Sequence, residues 1–521
     1  MGAIFDKHLA QLTAQSSASV FSGGKKGLEK EALRVDVDGR LAQTPHPRAL
    51  GSALTNRFIT TDFSEALLEF VTPAFSNSWE AMRFLCDIHQ FAYDQLGEEL
   101  LWVTSMPCAI PQEDDIPLAR YGDSNLGRMK TLYRNGLGLR YGRSMQTIAG
   151  IHFNYSVPES FWVAYQEICR QRTDLPDCRS QAYLGLIRNF RRVGWLVLYL
   201  FGSSPALCRR FADNVGAKLA VLDEHTLYEP YGTSLRMSDL GYSNKSQAGV
   251  NISLNSLDAY IADLRRAIRT PEPRYEELGV KVNGEYRQLN ANVLQIENEY
   301  YSPIRPKRVI RSGERPTAAL ERAGIEYVEV RSLDINVFDP VGISQNELRF
   351  IEMLLLYCLI EDSPFFEDQE YKEALTNHAL VARRGREPGL KLLRGGKQVV
   401  LADWANEVLE NVGALAELLD NEGDGADYMA TVRDLARCIT DPDETPSARL
   451  LAELREGQMS FMDFALQSAK GHRDYFRSLV PVQPQRMSEF AAEVVASVER
   501  QQHLEANDSL NFDEYLANYL K

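Results

Sequence analysis

Along residues 27–35, GLEKEALRV, polar and apolar positions interleave with the period of two that marks a strand, so Glu29 and Glu31 share one face. The segment runs on to Asp38-Gly39, a dipeptide that predicts a hairpin turn. ALLEFVTP (66–73) predicts a second strand closed by its proline, and the apolar LLWVTSMP (100–107) a third. QTIAGIHFNYSVP (146–158) alternates cleanly: Ile151, Phe153, Tyr155 and Val157 fall on one side, His152 and Asn154 on the other. ANVLQIENEYYSPI (291–304) and GIEYVEVRSLDINVF (324–338) complete the strand-like set. Between them, NSWEAMRFLCDIHQFAYDQL (77–96) has helical spacing behind a candidate capping residue, Asn77. GLGLRYG (136–142) lacks the G-x-G-x-x-G spacing and reads as a flexible loop.

Beyond about residue 341 the texture changes. Segments 345–362, 401–419, 445–469 and 485–505 follow helical spacing, and strand signals become few. No Gly/Ser or Pro-rich linker separates the two parts. The expected architecture is an α+β catalytic body over 1–340, with a mainly helical region over 341–521 packed on it as one compact unit.

Composition narrows the setting. The chain has 521 residues, of which 44% are hydrophobic and 25% charged, an ordinary globular balance with ample material for a core. A net charge of −15 argues against nucleic acid or an anionic membrane as a partner. The seven cysteines are scattered without a C-x-x-C pair, so they predict neither a disulfide framework nor a structural zinc site. MGAIFDKHLAQL does not resemble a signal peptide, and the longest apolar run, MLLLYCLI (353–360), is too short to span a bilayer. A soluble, cytoplasmic monomer acting on small molecules is expected.

The chemistry sits on the strand faces. Glu29 and Glu31 project together; Asp62, Glu65 and Glu69 lie in TTDFSEALLEF; Glu329 and Arg331 share a side with Tyr327. Each pair alone also fits a charged, solvated strand face. Together they weigh more, because these acids lie inside apolar runs, and at about 4 Å two like charges repel by ~4 kcal/mol at an effective dielectric near 20. Buried carboxylates need a partner or a cation. Oxygen ligands with at most one imidazole, His152, suit Mg²⁺ or Mn²⁺ better than zinc. Several hard cations beside arginines point to phosphoryl transfer. The run YSPIRPKRVIRSGERP (301–316) adds Arg305, Lys307, Arg308, Arg311 and Arg315, which also fit a solvated basic loop. No P-loop occurs, so any nucleotide must be held by metals and arginines on a sheet.

GLEKEALRV, FITTDFSEALLEFVTP, GIHFNYS, SLRMSDLGYSNKSQ, LQIENEYYSPIRPKR and GIEYVEVRSLDIN, in that order over roughly residues 20–340, resemble the glutamate–cysteine ligases of the proteobacterial type. The first motif departs from that pattern at Lys30 and Ala32, where the family has Arg and Thr; both lie on the face opposite the glutamates. The resemblance implies a fold related to glutamine synthetase, a curved, largely antiparallel sheet forming a funnel ringed by helices. It implies ATP with Mg²⁺ or Mn²⁺, and glutamate and cysteine as substrates. By the same resemblance Glu29, Glu31, Asp62, Glu69, His152 and Glu329 would hold metals and Arg331 would meet the transferring phosphate, while Lys307 of the basic run is a further candidate for the ATP phosphates. Arg236 would receive glutamate, and Phe63, Tyr133, Tyr242 and Tyr301 would line the cysteine pocket. A ligase with another amine acceptor, or a metal-dependent kinase, would use much of the same machinery.

Overall fold

The computed structural model describes residues 3–15, 18–107, 110, 112–168, 174–241, 250–311, 313–421, 427–480 and 483–521. Its centre is an antiparallel sheet built from β1 (Lys25–Val35), β2 (Ile59–Thr61), β3 (Leu67–Val71), β4 (Leu100–Leu101), β5 (Ile151–Ser156), β6 (Ile304–Lys307) and β7 (Tyr327–Leu333). The order across it is β6-β7-β5-β1-β3-β2, with β4 paired to the far end of β1. The fold is α+β, as expected.

The alternation in β1 decides the orientation of the whole sheet. Leu28, Lys30 and Ala32 point back into the core with Phe153, Tyr155, Val328, Val330, Leu68 and Phe70, all buried. Two lysines on this apolar side each find a partner. Lys26 forms a 2.6 Å ion pair with Glu352, and the Lys30 amine lies 2.8 Å from His89 Nε2. Burial pushes the Lys30 ammonium down to about 7. The opposite face carries Gly27, Glu29 and Glu31 and is the polar one.

Helices cover the back. Ser78–Gln95 begins where the Asn77 side chain accepts the Trp79 N–H at 2.8 Å. Gln345–Ile360 begins with a capping box between Ser344 and Glu347. Past residue 341 the described elements are helices, apart from a hairpin of Lys391–Arg394 with Lys397–Val400. No helix among the described residues is long and apolar enough to cross a membrane.

The Glu347 carboxyl of that capping box is buried beside Asp339, which pushes it up to about 8. Because the folded value lies above the unfolded value of 4.5, this group's contribution to stability is full below pH 4.5 and is lost as pH rises towards 8. Glu347→Gln keeps the cap, so its denaturant-unfolding stability between pH 5 and 8 should fall less steeply than that of the parent, by about 1 kcal/mol per pH unit. Parallel stability–pH curves would refute this.

Five local expectations are corrected. After the Asp38-Gly39 turn the chain makes only a single bridge, Val35 to Leu41, because β1 pairs instead with β3 and β5. Only Leu100–Leu101 of 100–107 is strand; the rest is apolar because Trp102, Val103 and Met106 are buried, with the indole N–H donating to the Met106 carbonyl at 3.0 Å. Residues 291–303 are irregular around a turn at Glu297–Glu299: Gln295 Oε1 accepts from the Leu289 N–H at 3.0 Å and Glu299 Oε2 from the Gln295 N–H at 2.6 Å, replacing a ladder. Residues 136–141 are not a loop but the end of the helix Asn125–Tyr141. Gly136 lies against the Gln295 side chain and Gly138 against Arg143 and Phe63, so both glycines serve close approach. The stretch 445–469 divides into Pro446–Glu456 and the start of Phe461–Ser478.

Candidate active site

Register brings the acids together from distant parts of the chain. Across β1 and β5, Glu29 stands directly opposite His152; across β1 and β3, Glu31 stands opposite Glu69; across β7 and β5, Glu329 stands opposite Asn154. Directly paired residues share a face, so six polar side chains converge on one surface of the sheet. Beside them β7 carries an extra residue, since Val330 and Leu333 pair with Phe153 and Ile151. Arg331 lies in this bulge, a device that re-aims side chains near functional sites.

The resulting geometry is tight. Glu29 Oε2 lies 3.0 Å from His152 Nδ1, and Glu29 Oε1 accepts from Asn154 Nδ2 at 2.9 Å. His152 Nε2 is 3.8 Å from Glu31 and its Nδ1 4.0 Å from Glu329. One donor atom each from Glu29, His152 and Glu329 fall within 4.8 Å of one another. Glu31 Oε2 accepts the Gly150 N–H at 2.8 Å. Glu329, 1% exposed, meets Lys307 at 3.2 Å through Oε1 and Arg331 at 3.3 Å through Oε2. That second oxygen is buried and accepts no hydrogen bond from the described residues.

Electrostatics divide the acids into two kinds. Burial opposes ionisation of Glu29 and Glu329, yet the hydrogen bond from His152 holds Glu29 below the ordinary carboxylate range, and Lys307 and Arg331 hold Glu329 well below it. Burial, then the neighbouring charges of Glu29, Asp62 and Glu31, push Glu69 well above it. Burial, with the charge of Asp62 adding to it, also raises Glu31. Such a set of hard oxygens with one imidazole suits a divalent cation, whose charge would relieve the repulsion that Glu31 and Glu69 feel.

The remaining sequence-predicted residues fall around this group. Asp62 lies at its partly open rim, 4.0 Å from Arg134. Arg236 is 1% exposed; it donates to the Arg331 carbonyl at 3.0 Å and lies 3.9 Å from Asp334. Asp334 is in turn fixed by the Ser203 N–H at 2.9 Å and the hydroxyls of Ser204 at 2.6 Å and Ser234 at 2.9 Å. Tyr301 donates to Met237 Sδ at 3.3 Å. Tyr133 is half-buried on the helix Asn125–Tyr141, while Phe63 is buried beside Gly138. Tyr242 lies outside the described residues. Of the basic run, Lys307 reaches Glu329, and Arg305 is paired with Glu329 in the ladder. Arg308 turns to Glu326 and Arg315 to Glu297. Glu65 belongs elsewhere, accepting the backbone N–H groups of His46 at 2.9 Å and Arg120 at 3.1 Å.

Sequence reasoning missed Lys130 and Arg134. Their i, i+4 spacing puts both on one side of the helix Asn125–Tyr141, where burial lowers Lys130 to about 8 and Arg134 approaches Asp62. The signal was present in RMKTLYRNG, but the glycines that follow hid the helix.

The sequence family described as glutamate-cysteine ligase matches residues 9–381. The chain is 48% identical over 524 residues to the glutamate–cysteine ligase of Alcanivorax borkumensis, covering 98% of this chain and 99% of that protein. It is 48% identical over 519 residues to that of Pseudomonas paraeruginosa, covering 100% and 98%. Among solved structures it is similar to the glutamate–cysteine ligase of Francisella tularensis in complex with AMP, with a TM-score of 0.90 and 36% identity over 96% of this chain and 98% of that one. It also matches, at a TM-score of 0.71 and 25% identity over 91% of its length, 55% of a bifunctional glutathione synthetase from Pasteurella multocida. The chain is therefore a ligase and belongs to the glutamate–cysteine ligase family.

Proposed function

We propose that the protein joins the γ-carboxylate of L-glutamate to the amino group of L-cysteine with cleavage of ATP, giving γ-glutamylcysteine, ADP and phosphate, the first step of glutathione synthesis. The observation that carries this reading is the trio of half-buried Glu29 with buried His152 and Glu329, with Lys307 and Arg331 each on one oxygen of Glu329, in a chain of this family. The AMP held by the Francisella relative supports a nucleotide substrate.

Glu29, Glu31, Asp62, Glu69, His152 and Glu329 would hold Mg²⁺ or Mn²⁺, which when bound supplies charge neutralisation at the phosphoryl oxygens. Lys307 and Arg331 bind the β- and γ-phosphate oxygens, and Arg331, fixed in its bulge, orients the transferring group. Arg236 holds glutamate so that its γ-carboxylate faces that group. A carboxylate oxygen attacks the γ-phosphorus, the bond to ADP breaks, and an acyl phosphate forms. The cysteine nitrogen then attacks the acyl carbon, the C–O bond breaks with release of phosphate, and the nitrogen loses its proton. Phe63, Tyr133, Tyr242 and Tyr301 exclude water, which would otherwise hydrolyse the acyl phosphate. The compartment is cytoplasmic and the acting unit a monomer.

ADP release measured with ATP, Mg²⁺ and glutamate should rise strongly on adding cysteine, and mass spectrometry should find γ-glutamylcysteine. Turnover that needs no glutamate would overturn the reading. Turnover indifferent to cysteine but driven by another amine would move the protein to a ligase of different acceptor.

A further inference from the structure

The last helix, Phe512–Tyr519, does not join the main core. Its buried residues Phe512 and Leu516 form a separate apolar cluster with Met129, Leu132, Leu289 and Ile296. Met129 and Leu132 belong to the helix Asn125–Tyr141, the one that carries Tyr133 and Arg134. Of the apolar residues of that helix, Leu126, Met129, Leu132 and Tyr133 lean on the satellite cluster, whereas Leu137 packs on the main core. Polar contacts tie the same two helices end to end. The Asn125 N–H donates to Asp508 Oδ2 at 2.5 Å, Asn125 Nδ2 to the Leu510 carbonyl at 2.8 Å, and the Arg128 guanidinium sits 4.3 Å over the Phe512 ring. Leu289 and Ile296 bring in the segment before Tyr301, and Gln295 Nε2 donates to the Tyr133 carbonyl at 3.2 Å.

The acids at the catalytic centre are anchored differently. Glu29, His152 and Glu329 stand on β1, β5 and β7, whose back face is the main core. The molecule thus rests Glu29, His152 and Glu329 on one core and the first half of the helix Asn125–Tyr141, from Leu126 to Tyr133, on another, smaller one to which the segment after Asp508 contributes Phe512 and Leu516.

We infer that the segment from Asp508 to the C-terminus is a positioning clamp for the pocket of the amine acceptor, holding the helix Asn125–Tyr141 and its Tyr133 against the sheet. This rests on the reading that Tyr133 and Tyr301 line that pocket. Loosening the clamp should let Tyr133 drift while the phosphate end keeps its geometry, so binding of the acceptor should suffer selectively.

Full-length protein carrying Phe512→Ala with Leu516→Ala should show a KM for cysteine raised about tenfold, with the KM for ATP and kcat each changed by less than about threefold. Phe512→Leu should restore most of the loss. Asp508→Asn, which keeps volume and cannot empty the cluster, should move the KM for cysteine in the same direction by a smaller factor and serves if the double variant does not fold. Hydrogen exchange should rise in 125–141 and stay low in β1 and β5. Equal shifts in all KM values, a fall in kcat alone, or no shift in either variant would overturn the clamp. Parent protein whose turnover ignores cysteine would overturn the acceptor reading instead.

Discussion

Glu329→Gln is expected to lower kcat by about three orders of magnitude, roughly 4 kcal/mol of transition-state stabilisation, while the protein stays folded. Glutamine keeps the volume and one carbonyl oxygen of a side chain that is 1% exposed, so no cavity opens. What it removes is the charge that faces Lys307 at 3.2 Å and Arg331 at 3.3 Å. Those two cations retain partial access to solvent, at 33% and 18%, and lie close to the remaining acids. Losing Glu329 also relieves Glu29 of a repelling neighbour. The stability of the metal-free protein should therefore change little, while the rise in Tm on adding Mn²⁺ should shrink or vanish, since that rise follows from preferential binding to the folded state. Glu326→Gln, three residues earlier and turned to Arg308, should leave kcat within about twofold, as surface ion pairs contribute little. A Glu329→Gln enzyme within tenfold of the parent would remove this residue from the phosphate and metal machinery.

The faces of the strands were legible in the sequence, and their neighbours were not. Period-two alternation is local, so GIHFNYS and EYVEVR revealed which side chains travel together: His152 with Asn154, and Glu329 with Arg331. That Glu29 stands opposite His152, or Glu31 opposite Glu69, depends on pairing across 123 and 38 positions, and no local pattern encodes it. The helix Asn125–Tyr141 was lost because Gly136 and Gly138 each disfavour a helix by about 1 kcal/mol. Tertiary packing overrides that cost, since the Gln295 side chain occupies the place of a Cβ at Gly136 and the Arg143 side chain crowds the place of one at Gly138. Residues 291–303 looked like strand because their apolar spacing is that of a buried segment; the polar Gln295 and Glu299 between them bind backbone N–H groups and hold an irregular path. Lys30 lies on the face opposite the glutamates, as the alternation implies, and that face, shared with Lys26, is the core, where the two lysines meet His89 and Glu352.

Gly150→Ala should be severely damaging although it adds a single methyl group, lowering kcat/KM for glutamate by about a hundredfold. The backbone at Gly150 does not lie among the positive-φ glycines, so alanine meets no conformational penalty there. The obstacle is steric: the new Cβ would overlap the guanidinium of Arg236. Neither side can give way easily. Gly150 is held at both ends of its peptide by Glu31, whose Oε2 accepts its N–H at 2.8 Å and whose own N–H donates to its carbonyl at 3.0 Å. Arg236 is 1% exposed and bonded to the Arg331 carbonyl at 3.0 Å. The guanidinium must therefore leave the position from which it would hold glutamate, at an overpacking cost of about 1–3 kcal/mol in stability. The KM for ATP should move far less than that for glutamate. The same substitution at Gly471, exposed in the helix Phe461–Ser478 with nothing near its added methyl, should instead raise stability by about 0.5–1 kcal/mol and leave turnover alone. A Gly150→Ala protein that binds glutamate within threefold of the parent would show that Arg236 is free to move, and would take it out of the substrate site.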